Sequence, residues 1–101
     1  MDSQESPIAV FLPRVAEGAR FAADKMQKLD CAVMNGLLLG LNCFEPGQSQ
    51  RIHAHAGADK FYLMLSGKAK ITVGGETRVV SAGDLVMAPS GIDHGVEAAL
   101  E

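Results

Sequence analysis

At 101 residues and 10.6 kDa, with 48% hydrophobic and 21% charged residues, the chain is sized for one folded domain and is too apolar for intrinsic disorder. Its net charge of −3 is scattered, without basic clusters or interleaved aromatics, which argues against a nucleic-acid partner. No stretch approaches the roughly 20 apolar residues of a membrane span, and the opening lacks a basic leader, so a cytoplasmic protein is expected.

In chain order, residues 1–7 are polar and read as a frayed end, the first part of an N-terminal arm over residues 1–20. Residues 14–30 are ambiguous: alanines suggest a helix, Gly18 interrupts it, and residues 25–33 read as a strand. Asn35-Gly36 is a two-residue hairpin signal leading into the buried strand "LLLGLNCF" and a Pro46-Gly47 turn. With that turn, Cys31 would face Gly40 and Cys43 would face Lys28. The thiols are then out of register for a disulfide and are expected reduced.

Short strands follow. "RIHAH" places His53 and His55 on one strand face, "KFYLMLSG" runs to Gly67, Gly74-Gly75 joins two strands, and Leu85–Ala88 is bracketed by turns. Many short strands joined by Gly and Pro turns predict an all-β antiparallel sandwich or barrel. In "KFYLMLS", alternation sets Phe61, Leu63 and Leu65 against Lys60, Tyr62 and Met64. A strand apolar on both faces asks for cover on both, and a partner subunit would supply one. Only seven residues follow His94, so the barrel edge beside them is expected to be open, which favours a homodimer.

Two residues apart on a strand, His53 and His55 would have Cα atoms about 6.5–7 Å apart, from which two imidazoles can converge on one ion. Taken singly, each histidine reads as a surface or packing residue. With His94 some forty residues on, the group reads as a metal site. Three neutral imidazoles with open positions suit iron, zinc, nickel, copper or manganese, and the residues do not choose among these.

The spacing resembles the cupin family. Its first motif, glycine, five residues, H-x-H, three or four residues, glutamate, six residues, glycine, is met by Gly47, His53, His55, Lys60 and Gly67. Its second, glycine, five residues, P-x-G, two residues, histidine, three residues, asparagine, is met by Gly83, Pro89, Gly91 and His94, with Ala98 at the asparagine. The fifteen intervening residues, 68–82, match the shortest, typically bacterial, members. The resemblance implies a jelly-roll barrel, with motif one over 47–67 and motif two over 83–98. It also implies that His53, His55 and His94 ligate a divalent metal.

Lys60 departs from this pattern, standing where the family carries a metal-binding glutamate. A cation 4 Å from an ion costs about 4 kcal/mol per unit charge at an effective dielectric near 20. Three outcomes relieve this: the flexible stem swings the ammonium aside, burial removes its proton, or no metal binds. Lys60 reads either as a side chain at the barrel mouth or as a clamp for an anionic ligand. Tyr62 and Met64 share its face and are expected to fill the barrel, with the Tyr62 hydroxyl within reach of a ligand. Asp59 faces outward by alternation unless a bulge turns it in.

The expected function is therefore a metal-dependent cupin acting as an oxygenase or isomerase on a small anionic compound. The runners-up are a non-catalytic binding module that holds an anion without metal, and a structural dimer.

Overall fold

The computed structural model describes residues 9–101, so the expectation of a frayed segment at 1–7 lies outside the described residues. Residues 14–30 contain no α-helix: a single 3-10 turn, Val15–Gly18, follows Arg14 in the left-handed region at φ 50°. Eight strands then follow in order: β1 (Gln27–Val33), β2 (Leu38–Cys43), β3 (Gln50–His53), β4 (Lys60–Leu63), β5 (Lys68–Val73), β6 (Glu76–Ser81), β7 (Leu85–Ala88) and β8 (His94–Ala99). Every ladder between them is antiparallel.

The β1–β2 hairpin closes on Asn35-Gly36 as expected, with Met34 N donating to Leu37 O at 2.8 Å and Val33 opposite Leu38. The cysteine register differs from expectation. A bulge at Cys31 places Asp30, not Cys31, opposite Gly40, and Gln27, not Lys28, opposite Cys43. One extra residue on one strand shifts every later pair by one. The thiols are still free: Cys31 is half-buried and Cys43 buried.

The remaining six strands make two layers. One sheet has the order β3-β8-β5-β6, and β4 pairs with β7. The chain thus alternates between layers at 3→4→5 and 6→7→8, the interchange that defines a jelly roll. Ala69 and Ile71 of β5, Val80 of β6 and Val96 of β8 pack with Tyr62 of β4, while Met64, Phe44, Val73 and Val86 close the edges of this cluster. Strand alternation explains the division: Tyr62 is buried, whereas its neighbours Phe61 and Leu63 are exposed. Regular pairing in β4 ends at Leu63, shorter than the run to Gly67 that its apolar character suggested.

The expectation of an open edge beside the last residues is corrected. That segment is itself the strand β8, hydrogen-bonded to β3 on one side and β5 on the other. Its Gly95, Val96 and Ala99 are buried, and their small volume lets strands approach from both sides. The corner glycines all take positive φ: 91° at Gly47, 77° at Gly67, 94° at Gly83 and 79° at Gly91. At Gly67 the need is also steric, because a Cβ there would lie 2.5 Å from the carbonyl oxygen of Glu101. No helix among the described residues is long and apolar enough to cross a membrane.

Candidate metal centre

The β3–β8 ladder sets His53 directly opposite His94, so two residues 41 positions apart become a cross-strand pair. His55 is not on the same strand as expected. β3 ends at His53, and His55 lies in the following loop, exposed. That loop is held to the second histidine motif. Gly91 N donates to His55 O at 2.7 Å, Gly57 N to the Ser90 hydroxyl at 2.8 Å, and Ser90 N to Asp59 Oδ1 at 2.8 Å. These bonds return His55 to the other two histidines, and they commit Asp59 to the backbone.

The three rings converge. Their centroids are 4.7 Å apart for His53 and His55, 4.8 Å for His53 and His94, and 5.7 Å for His55 and His94. One nitrogen from each lies within 4.8 Å of the others. Two nitrogens at about 2.1 Å from a common ion are at most about 4.2 Å apart, so a small inward rotation of the rings completes a ligand set. Their tautomers suit this role. His53 Nδ1 lies 2.7 Å from Arg51 O and His94 Nδ1 2.9 Å from Ile92 O. A carbonyl only accepts, so each Nδ1 carries the proton and each Nε2 presents a lone pair.

His94 is 2% exposed, and among the described residues its Nε2 is the buried side-chain polar atom without a hydrogen-bond partner. A buried nitrogen left without a partner costs on the order of 1–3 kcal/mol, which a metal bond would offset. The residues present therefore fit a divalent ion of the borderline kind that favours imidazole.

Lys60 is half-buried at the start of β4, its Nζ 4.8 Å from the centroid of the Tyr62 ring, and the Tyr62 ring is 6.2 Å from that of His94. The ammonium rests on the aromatic face, which is attractive for a cation. Burial lowers the Lys60 pKa from its usual value, and Lys28 of β1 lowers it further. For His55, partial desolvation comes first, then electrostatic coupling to His53, His94, Lys60 and Lys28, all lowering its pKa. Because the ring is exposed, the neighbouring charges are the firmer cause. Burial raises Tyr62 to about 12. Its hydroxyl donates to Gln50 Oε1 at 2.7 Å, and Met64 packs against the core, so both extend the apolar wall as expected.

The sequence reading missed Lys28, Gln50 and Gly95. Gln50 and Gly95 had signals in their nearness to the histidine motifs; the charge of Lys28, distant in the chain, had none. At Gly95 an added Cβ would lie 2.8 Å from Ile52 Cδ1 and 2.9 Å from the Arg51 and Gln50 carbonyl oxygens. Glycine there lets β3 approach β8 closely enough to pair the histidines.

Residues 40–100 match the family model described as the cupin domain. The uncharacterized protein SCO3923 of Streptomyces coelicolor is 41% identical over 58 residues, which take in 55% of this chain and 52% of that one. The chain thus spans about half the length of that curated relative. The crystal structure of TT1209 from Thermus thermophilus superposes with a TM-score of 0.78 at 35% identity, covering 81% of this chain and 78% of that one. KdgF from a Halomonas species gives 0.77 at 25% identity over 91% and 84% of the two chains. An RmlC-like cupin from Desulfovibrio desulfuricans, at 19% identity, gives 0.81 over 92% and 90%, a likeness of fold alone. With a family match that spans both histidine motifs, on a jelly roll that pairs His53 with His94, the chain belongs to the cupin family.

Proposed function

We propose that His53, His55 and His94 hold one divalent metal ion, and that a small anionic compound binds beside it with Lys60 as its anchor. The observation that carries this reading is the orphaned, buried Nε2 of His94, set among two other imidazoles. When bound, such an ion supplies Lewis-acid polarisation of a ligand oxygen. The chain's own residues do the rest. The carbonyls of Arg51 and Ile92 hold two imidazoles in the ligating tautomer, Tyr62 and Met64 wall the site, and Lys60 orients an anionic group by charge. The reaction class in this reading is isomerisation or oxygenation of the bound anion. Lys60 at the usual glutamate position favours a second reading, a binding module without turnover. The free thiols of Cys31 and Cys43 support a reducing, cytoplasmic setting.

Metal analysis of protein purified without a nickel column tests the first reading. The expected result is up to one ion per chain, with at least about a 10- to 100-fold loss of affinity in His94→Ala, a removed ligand costing no less than a removed outer-shell partner. Absence of any titratable affinity for iron, zinc, nickel, copper or manganese would leave only the binding module.

A further inference from the structure

The three histidines are held in two different ways. His53 and His94 are a cross-strand pair of β3 and β8, and each ring is locked through Nδ1 by a backbone carbonyl. His55 is exposed on the connection from β3 to β4, residues 54–59, and is held at its backbone instead. Loops place side chains less precisely than strands do, so the third ring depends on whatever fixes this connection.

The connection from β7 to β8 fixes it. The two connections lie at the same end of the barrel, because His53 pairs with His94 in one layer and Lys60 with Ala88 in the other. In the second connection Ile92 N donates to Pro89 O at 3.1 Å, closing a turn that leaves the inner N–H groups of Ser90 and Gly91 for other partners. Both go to the histidine loop. Ser90 N donates to Asp59 Oδ1 at 2.8 Å and Gly91 N to His55 O at 2.7 Å, while Gly57 N donates to the Ser90 hydroxyl at 2.8 Å. Alternate residues of the loop, 55, 57 and 59, are thereby tied to one turn. That turn ends at Ile92, whose carbonyl accepts from His94 Nδ1, so it organises two of the three rings.

We infer that Asp59 and Ser90 are positioning residues for His55, setting the third imidazole against the fixed pair through the loop and not as ligands. The inference rests on the reading of the three histidines as one metal site and adds two side chains to it. A carboxylate so close to the H-x-H motif has the chemistry of a fourth ligand, but here its oxygen is engaged by a backbone N–H in a charge-assisted bond. Asp59 and Ser90 are exposed, so their bonds matter little to the stability of the whole fold and much to the geometry of one loop.

The test compares Asp59→Ala, Asp59→Asn and Ser90→Ala with the unsubstituted protein, each confirmed folded by its NMR spectrum. Asparagine keeps an oxygen that accepts from Ser90 N and removes the charge. Competition titration with zinc is expected to show about a tenfold loss of affinity in the two alanine variants and almost none in Asp59→Asn. Imidazole nitrogen NMR of the zinc-loaded protein separates positioning from general loosening: in the alanine variants the His55 ring alone should lose its ligated signature. In the metal-free protein a nuclear Overhauser contact between the rings of His55 and His94, whose centroids are 5.7 Å apart, should vanish in Asp59→Ala and persist in Asp59→Asn. The inference is overturned if Asp59→Ala keeps that contact or binds zinc as the unsubstituted protein does, or if all three rings lose ligation together. It is also overturned if Asp59→Asn fails as alanine does, since charge and not the hydrogen bond would then be the active feature. Should zinc bind to none of these proteins, the metal reading falls by itself and the metal-free contact decides the positioning role.

Discussion

Lys60 concentrates the chemistry that separates this chain from the pattern its spacing follows. The side chain lies over the Tyr62 ring, half-buried, with a lowered pKa. Of the three ways to relieve a cation near an ion, the geometry resembles the first, a flexible stem that carries the ammonium to one side. Lys60→Glu adds a hard oxygen ligand and removes a positive charge in one step. It is expected to tighten zinc binding by more than about tenfold and to weaken binding of a small carboxylate probe such as acetate by about tenfold, since each charge-assisted hydrogen bond is worth about 1.5–3 kcal/mol. Titration calorimetry reads both, and an unchanged zinc affinity would show that residue 60 does not reach the metal. Loss of the cation–π contact costs only about 0.5–1 kcal/mol, so folding is not expected to obscure the result.

Pairing between β3 and β8 is the structural event on which the site depends, because it alone makes His53 and His94 neighbours. The contact is close at Gly95, where a methyl group would press on Ile52 and on two carbonyl oxygens of β3. The backbone conformation there is open to any residue, so the penalty is crowding and not torsional strain. Gly95→Ala is predicted to destabilise the fold by about 1–3 kcal/mol, the usual cost of overpacking, and to lower metal affinity by pushing His53 away from His94. Thermal unfolding followed by zinc titration of the folded variant measures the two effects separately. A variant with the stability and zinc affinity of the unsubstituted protein would show that the ladder tolerates a wider spacing.

The outside of the β4–β7 pair is an apolar surface among the described residues. Phe61 is opposite Met87 and Leu63 opposite Leu85, and these four side chains are 42%, 59%, 50% and 59% exposed. The described residues leave this row exposed, and the β1–β2 hairpin exposes Val33, Leu37 and Leu38 besides. We propose that a second copy covers the β4–β7 face in a homodimer, since an apolar patch repeated on identical chains is complementary to itself about a two-fold axis. Light scattering at micromolar concentration should then give twice the 10.6 kDa formula mass, and Met87→Glu should return the single mass. A monomer in the unsubstituted protein would defeat the proposal.

Several features were legible because they depend on residues close in the chain. Alternation in "KFYL" told the buried Tyr62 from the exposed Phe61 and Leu63, and Asn35-Gly36 and Gly74-Gly75 formed hairpins at the expected residues. Glycines at 47, 67, 83 and 91 took the positive φ that their corners require. Neighbouring residues bias these torsions directly, without help from the rest of the fold. The spacing of His53, His55 and His94 likewise singled out three rings that the fold brings together. Other features waited for the tertiary structure: the one-residue slip at Cys31, the seating of His55 in a loop beyond β3 and the central place of β8. Each is a choice of partner across the sheet or between layers. Such choices turn on the volumes of residues distant in sequence, and a small strand such as "HGVEAA" becomes central only because β3 and β5 both fit against it.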